Sequence, residues 1–154
     1  MDIILKRSIE WLDRLIAFDT TSRLSNLDLI SDIEKYMNEL GVPTRLTHDK
    51  DKTKANLWCT IGPQDIGGVV LSGHTDVVPI DGQEWTKSPF KMSEESGKLF
   101  GRGTSDMKGF CAIALAMAPE MKSRDLKVPI HFAFSFDEEV GCVGVRHLIK
   151  DVVN

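Results

Sequence analysis

The sequence has little cysteine, and its cysteines show no metal-binding or redox spacing. The 154 residues include three of them, Cys59, Cys111 and Cys142, far apart and without a C-x-x-C pattern. An odd number of dispersed cysteines argues against a disulfide framework and against a cysteine-based zinc site. We therefore expect reduced thiols, as in a cytoplasmic protein, with Cys111 and Cys142 packed as small buried hydrophobic residues.

The chain also lacks long apolar runs and an excess of positive charge. No stretch is long and apolar enough to span a membrane, and the first residues, MDIILKR, reach charge too soon for a signal peptide. With 19 basic and 23 acidic residues the net charge is −4, which argues against nucleic-acid binding. The length of 154 residues and the hydrophobic content of 42% predict one globular domain with a core. The cysteine pattern described above favours a cytoplasmic location.

Hydrophobic periodicity predicts helices and strands in alternation, and hence an α/β layered domain with a central sheet. The strand at 67–74 is apolar on both faces, as in an interior strand of a covered sheet. Asn26 is expected to cap the second helix. The predicted helices cover 3–17, 27–40, 105–121 and 144–151, and the predicted strands cover 44–48, 56–62, 67–74, 99–100 and 128–136.

Polar side chains follow two of the apolar strands and precede the long apolar helix. In an open α/β sheet, ligands bind beyond the carboxyl ends of the strands, so these side chains can converge on one edge. Several carboxylates held close together repel one another unless a cation lies among them. A pair of divalent metal ions, zinc or cobalt, meets that need, because histidine nitrogen and carboxylate oxygen suit both. The residues are His74, Asp76, Asp106, Asp137, Glu138 and Glu139.

Each of these residue types has a definite chemical use at such a site. His74 would bind a metal through one ring nitrogen, and Asp76 could accept the other ring N–H and hold the ring. Asp106, at the start of a helix whose dipole favours a carboxylate, can bridge two metals. Glu138 and Glu139 are adjacent, so one can bind metal while the other faces water as a general base.

Taken one at a time, the same residues have simpler structural explanations. A His-x-Asp pair at a strand end is commonly a hydrogen-bonded loop, Asp106 could be a helix cap, and two glutamates could be a solvated pair. Their joint occurrence after two apolar strands and at one helix start favours the metal site. The stretch GRGTSDMKG lacks phosphate-loop spacing. We expect the other histidines to be structural or exposed, namely His48, His131 and His147.

Four sequence blocks resemble a known family. SGHTDVVP, WTKSPF, GKLFGRGTSDMKG and DEEVGCVG are similar to stretches of the metal-dependent amidohydrolase and peptidase family that contains acetylornithine deacetylase, succinyl-diaminopimelate desuccinylase, aminoacylase and a glutamate-releasing carboxypeptidase. The resemblance runs from the second helix to the end of the chain, and GHTDVVP, WTKSPF and GTSDMKGF most resemble the deacetylase. It implies a zinc-exopeptidase-like, three-layer α/β domain with a central mixed sheet covered by helices.

The resemblance also implies a role for each matched residue. His74 would bind one metal ion and Glu139 a second, with Asp106 as the ligand shared by both. Glu138 would be the general base, and Asp76 would orient His74. The cofactors would be two divalent metal ions, zinc or cobalt. A cis peptide bond is also implied, directly after Asp106.

Family members are considerably longer than this chain. The resemblance implies that residues 1–154 form the N-terminal portion of the catalytic domain, so the domain would be incomplete in this chain. The parent protein would have further metal ligands beyond residue 154. It would also have a lid domain, absent from this chain, through which it would form a homodimer. We therefore expect the isolated chain to be inactive.

The expected reaction of the parent enzyme is hydrolysis of the amide bond of an N-acyl amino acid, with N-acetylornithine giving ornithine and acetate as the first candidate. Water activated by two metals would attack, with Glu138 as general base. The expected partner is this small-molecule substrate, with no nucleic acid and no membrane. Two alternatives stay open: a desuccinylase or dipeptidase of the same family, and a non-catalytic metal-binding or structural fragment.

Overall fold

A computed structural model describes residues 2–152, and the predicted elements are present with shifts of a few residues at their ends. No helix in this range is both long and apolar enough to cross a membrane. The helices are α1 (Ile3–Ile16), α2 (Leu27–Glu39), α3 (Lys108–Lys122) and α4 (Val143–Val152). The strands are β1 (Thr44–His48), β2 (Ala55–Ile61), β3 (Val69–His74), β4 (Ser93–Glu95), β5 (Lys98–Phe100) and β6 (Ile130–Ser135).

Four of the strands form a mixed sheet in the order β1-β2-β6-β3, while β4 and β5 form a separate hairpin. β1 and β6 each run antiparallel to β2, whereas β3 runs parallel to β6. The register of the parallel pair sets His74 beside Ser135. The carboxyl ends of β3 and β6 therefore lie next to each other, and the loops that follow them start from the same edge.

Helices cover both faces of this sheet, which confirms the predicted three-layer α/β class. Helices α1, α2 and α3 share one core with inward residues of the central strands such as Leu57 and Phe134, both fully buried. On the opposite face, Leu148 of α4 lines a cavity together with Trp58 and Ala133. Alternate residues along β2 and β6 thus serve the two helical layers, as the period of a strand requires.

The prediction that residues 67–74 form an interior strand is wrong for the part of the chain that the structure describes. β3 lies at the edge of the four-stranded sheet, and Val69 and Val70 are 56% and 47% exposed. A short apolar run shows that a strand can be covered on both faces, but it carries no information about how many neighbours the strand has.

The predicted capping role of Asn26 is also wrong in its chemistry. Asn26 does precede α2, but its side chain makes no capping hydrogen bond. Instead it pairs with the backbone N–H and carbonyl of Ala55, at 3.0 and 2.9 Å, and donates to the Thr75 hydroxyl. The Ser25 hydroxyl accepts from the Leu27 amide in its place. Asn26 therefore links α2 to two strand ends rather than stabilising its own helix.

The three cysteines divide into two buried thiols and one exposed thiol. Cys59 and Cys111 are buried, and burial raises the pKa of each thiol to about 12. The prediction that Cys142 is buried is wrong, because it lies in the turn between β6 and α4 with a φ of +54°. The sequence shows that Cys142 follows an apolar strand by a few residues, but it does not show that the turn at this position is exposed.

Candidate metal centre

Three separate chain segments bring the predicted metal ligands together at the carboxyl edge of the sheet. His74 ends β3, Asp106 lies in the turn before α3, and Glu138 and Glu139 follow β6. The His74 Nε2 atom is 3.1 Å from Asp106 Oδ1 and 3.6 Å from Glu138 Oε2. His74, Asp106 and Glu139 each offer one ligand atom, and these atoms all lie within 4.8 Å of one another. The predicted convergence is therefore present.

The tautomer of the His74 ring follows from its surroundings. Nδ1 is 3.0 Å from the backbone carbonyl of Asp76, and a carbonyl can only accept a hydrogen bond. A neutral His74 therefore carries its proton on Nδ1, and the lone pair of Nε2 faces the carboxylates of Asp106 and Glu138. This is the form of histidine that binds a metal ion.

Asp76 differs in detail from its predicted role. Its carbonyl oxygen lies 3.0 Å from Nδ1 of the His74 ring, nearer than its carboxylate oxygen at 3.5 Å, so the backbone and the side chain of Asp76 both interact with the ring. The carboxylate accepts from the Ser22 hydroxyl at 2.6 Å and from the Glu138 and Glu139 amides at 3.0 and 3.2 Å. Asp76 thus contacts both the histidine and the acidic turn that follows β6.

Asp76 is buried, and yet its environment keeps it ionised. Burial raises the pKa of this carboxyl, but hydrogen bonds from His74, Ser22 and the two glutamate amides outweigh burial and bring the pKa below its usual range. A buried carboxylate that accepts this many hydrogen bonds stays ionised, so Asp76 contributes a negative charge next to the ligand cluster.

The electrostatics of the cluster indicate a shortage of positive charge. Burial lowers the pKa of His74, but hydrogen bonds to Asp76 and Asp106 outweigh it and raise the pKa to about 9. Burial and the neighbouring Asp106 carboxylate raise the pKa of Glu139. In the absence of a cation, the His74 imidazole therefore favours its protonated form, and the Glu139 carboxyl ionises less readily than usual. A divalent cation would satisfy both, so the donor set fits a metal ion.

Asp106 lies outside the helix that the sequence assigned to it. α3 begins at Lys108 with Met107 at its cap position, so Asp106 belongs to the preceding turn and the prediction of a helix-start residue is wrong. The Asp106–Met107 peptide bond is cis, as the family resemblance implied. The carboxylate is 74% exposed and extends from this turn toward His74.

One buried and one half-buried lysine near the site were not found by sequence reasoning. Lys108, 1% exposed, donates from Nζ to the carbonyls of Leu15 and Phe18 at the end of α1. Lys54 donates to Asp137, which the sequence grouped with the acidic ligands but which does not belong to the cluster of His74, Asp106 and Glu139. An isolated lysine in a sequence resembles any surface lysine, so no signal marked either residue.

The remaining histidines have structural surroundings. The His131 ring stacks on Trp58 and shares a hydrogen bond of 2.8 Å with the Thr60 hydroxyl, while His147 stacks on Phe136. His48, at the end of β1, is exposed. Among residues 2–152, His74, Asp106 and Glu139 are the group of three or more potential ligands that could hold one metal ion.

Comparison with known proteins agrees with this geometry. A match to the peptidase family M20/M25/M40 covers residues 70–154. Over 127 residues, or 82% of the chain, the sequence is 39% identical to acetylornithine deacetylase of Shigella sonnei (strain Ss046). The chain covers 33% of that relative, so it spans about a third of the length of the curated protein it matches.

Solved structures of the same architecture are also longer than this chain. Human carnosine dipeptidase 1 is 25% identical with a TM-score of 0.73, covering 96% of this chain and 36% of its own. The Bacillus subtilis YXEP protein, described as a dinuclear metal binding peptidase from the M20 family, is 22% identical with a TM-score of 0.66. That alignment covers 97% of this chain and 40% of the YXEP chain, and supports the fold alone. The family match and the 39% identity show that this chain belongs to peptidase family M20/M25/M40.

Proposed function

We propose that this chain supplies the first ligands and the general base of an amidohydrolase that cleaves the amide bond of an N-acyl amino acid. The observation that carries the proposal is the convergence of His74, Asp106 and Glu139, with Glu138 beside them, from three separate segments. Glu138 Oε2 lies 3.6 Å from His74 Nε2, which puts a fourth polar group at the same point. Such a constellation is typical of metal-assisted hydrolysis.

N-acetylornithine is the proposed substrate, with ornithine and acetate as products. The support is the 39% identity to acetylornithine deacetylase of Shigella sonnei across most of this chain. Since the chain covers 33% of that relative, the activity is proposed for a longer protein in which these residues would form the N-terminal part of the catalytic domain.

Two divalent metal ions, zinc or cobalt, are the proposed cofactors. His74 would hold one and Glu139 the other, with Asp106 contributing to both. The YXEP protein, described as a dinuclear metal binding peptidase, shares the fold. When bound, such ions lower the pKa of water and polarise a carbonyl oxygen. A catalytic zinc ordinarily has three protein ligands, so a metal pair needs ligands beyond these three residues.

Glu138 is the proposed general base. Its side chain is 43% exposed and lies beside the ligand cluster, so water can reach its carboxylate. The carboxylate would take a proton from the attacking water as the new C–O bond forms. The same proton would then pass to the amide nitrogen as the C–N bond breaks, which releases the amine and the carboxylic acid.

Dipeptide hydrolysis is a second candidate function. It is supported by the similarity to human carnosine dipeptidase 1, with 25% identity and a TM-score of 0.73 over 96% of this chain. The cleaved bond is an amide in both reactions, so the same metal ligands and base would serve either one. The two functions differ in the groups that bind the acyl and side-chain parts of the substrate.

A substrate panel on the metal-loaded longer protein that would contain this chain tests these functions. We expect hydrolysis of N-acetylornithine to exceed that of N-succinyl-diaminopimelate and of dipeptides, and Glu138→Gln to lower turnover by about 10²–10⁴-fold with metal content unchanged. The matched control is Glu94→Gln, an exposed glutamate on β4. Unchanged turnover in Glu138→Gln would contradict the role of Glu138. Metal binding without hydrolysis of any amide would favour a non-catalytic metal-binding fragment.

A further inference from the structure

The acidic turn that carries Glu138 and Glu139 is held by a chain of hydrogen bonds that runs from Ser22 through Asp76 to the turn, here called the Asp76 support. The Ser22 hydroxyl donates a hydrogen bond to Asp76 Oδ2 at 2.6 Å. The Asp76 carboxylate also accepts hydrogen bonds from the backbone amides of Glu138 and Glu139. Ser22 is 7% exposed and Asp76 is 2% exposed, so solvent does not compete for these bonds. Ser22 thus contacts the turn through one intermediate residue.

A second support reaches the same turn through Lys54, which directly precedes β2. Its ammonium group donates to the Asp137 carboxylate and also to the backbone carbonyl of Ser22. The two charged side chains are 14% and 16% exposed. Asp137 has a φ of +51°, a left-handed conformation that a non-glycine residue adopts only when its surroundings favour it.

Both supports meet at Ser22, which lies in the loop between α1 and α2. Its hydroxyl serves the Asp76 support, its carbonyl serves the Lys54 support, and its amide donates to the Val77 carbonyl at 3.1 Å. Every polar group of this residue is therefore used to join the loop after β3 to the turn after β6. The stretch DTTSR, which the sequence marks only as a helix break, forms the base of the site.

We propose that Ser22 and Lys54 are positioning residues that hold the Asp137–Glu139 turn so that Glu138 and Glu139 face His74 and Asp106. The inference rests on the proposed function, because it assigns these two residues to the same metal centre. The turn brings the Glu138 and Glu139 carboxylates close to Asp106 and Asp76, and like charges at this spacing repel. The half-buried Lys54 cation offsets part of that repulsion, and the hydrogen bonds to the Asp76 carboxylate fix the backbone of the turn.

The first test measures the turn itself, in the metal-free chain, by amide hydrogen exchange. We expect Lys54→Met and Ser22→Ala each to speed exchange of the Glu138 and Glu139 amides by about tenfold or more, with the amides of β6 unaffected. Lys54→Arg should restore slow exchange, because it keeps the cation. Lys50→Met, at an exposed lysine of the neighbouring loop, should change nothing.

The second test measures zinc affinity in the same variants by calorimetry. We expect Lys54→Met and Ser22→Ala to weaken zinc binding by about 10–100-fold, and Lys54→Arg and Lys50→Met to stay near wild type. If Lys54→Met fails to fold, Asp137→Asn removes the same ion pair with little change of volume and is expected to give the same result.

The outcomes separate this inference from the proposed function. Unchanged exchange of the Glu138 and Glu139 amides in both Lys54→Met and Ser22→Ala would overturn the positioning role. Faster exchange with unchanged zinc affinity would also overturn it, since the turn would then not need to be held for binding. If the wild-type chain binds no zinc while exchange responds as expected, the metal centre of this chain is contradicted and the support of the turn stands.

Discussion

At the residue scale, His74 determines how the site responds to protons. Its Nδ1 is held by the Asp76 carbonyl, and its Nε2 faces carboxylates that stabilise the protonated ring. Burial lowers the pKa of His74, but hydrogen bonds to the side chain and backbone of Asp76 and to the Asp106 carboxylate outweigh burial and raise the pKa to about 9. Protons and metal ions therefore compete for the same nitrogen, and metal affinity should increase as the pH rises toward this value.

This shift predicts a pH-dependent contribution to the stability of the metal-free chain. The folded-state pKa of His74, about 9, exceeds the ordinary value of 6.5, so the folded protein binds the extra proton between these values. The stabilisation is complete below pH 6.5 and is lost as the pH rises through 9. We expect the free energy of unfolding, relative to His74→Gln, to fall by about 1–3 kcal/mol over this range. Urea denaturation at a series of pH values measures it, and a difference independent of pH would contradict the assignment.

The sequence was informative about residues whose chemistry shows in their local pattern. His74, Glu138 and Glu139 could be predicted because each follows an apolar strand and because parallel strands end at a common edge. The positions of Ser22, Lys54 and the Asp76 carboxylate could not. Their contacts join residues 32 to 83 positions apart in the chain, and spacing carries no signal for such contacts.

At the element scale, Lys108 joins the start of α3 to the end of α1. Its ammonium group donates to the Leu15 carbonyl at 2.9 Å and to the Phe18 carbonyl at 2.8 Å, where the helix dipole of α1 places partial negative charge. Burial lowers its pKa to about 8, against a weaker opposing effect of Asp19. The lysine thus fixes α3 and the turn before it, which carries Asp106, against the first helix.

Replacing this lysine should destabilise the fold. We expect Lys108→Met to lower the free energy of unfolding by about 1–3 kcal/mol at pH 7, because buried carbonyls lose their charged donor. The control Lys122→Met, whose exposed ammonium donates to the Gly41 carbonyl, should cost less than about 0.5 kcal/mol.

The stability difference between wild type and Lys108→Met should also depend on pH. Its folded-state pKa, about 8, lies below the ordinary 10.5, so the unfolded chain binds the extra proton between these values and stability rises with pH. The stability difference between wild type and Lys108→Met should therefore be larger at pH 10 than at pH 7. Denaturant melts at both pH values measure it, and a smaller difference at pH 10 would contradict the shifted pKa.

The elements themselves were predictable where periodicity is strong. α1 and α2 show clear amphipathic spacing, and β2 and β6 are apolar runs of typical strand length. The edge position of β3 and the true start of α3 were not predictable. The first depends on which other strands pair with β3, and the second depends on a turn whose cis bond at Asp106–Met107 was implied only by the family resemblance.

At the scale of the whole molecule, the chain combines a formed core with an open sheet edge. It spans about a third of the length of its curated relative, and 34–45% of the solved structures it resembles. The exposed Val69 and Val70 of β3 lie along that edge, directly before His74. The ligand cluster therefore lies at the end of the edge strand of the described sheet. Three of its side chains, those of His74, Asp106 and Glu139, are already close together there.

The central claim is that this chain already assembles a metal-binding cluster, and the most direct measurement is its zinc and cobalt stoichiometry. Equilibrium dialysis of wild type, Glu139→Ala and the exposed control Glu94→Ala makes the comparison. The account predicts at least one tightly bound ion per chain in wild type and in Glu94→Ala, and loss of that ion in Glu139→Ala. Equal binding in all three proteins, or no binding in wild type, would contradict it.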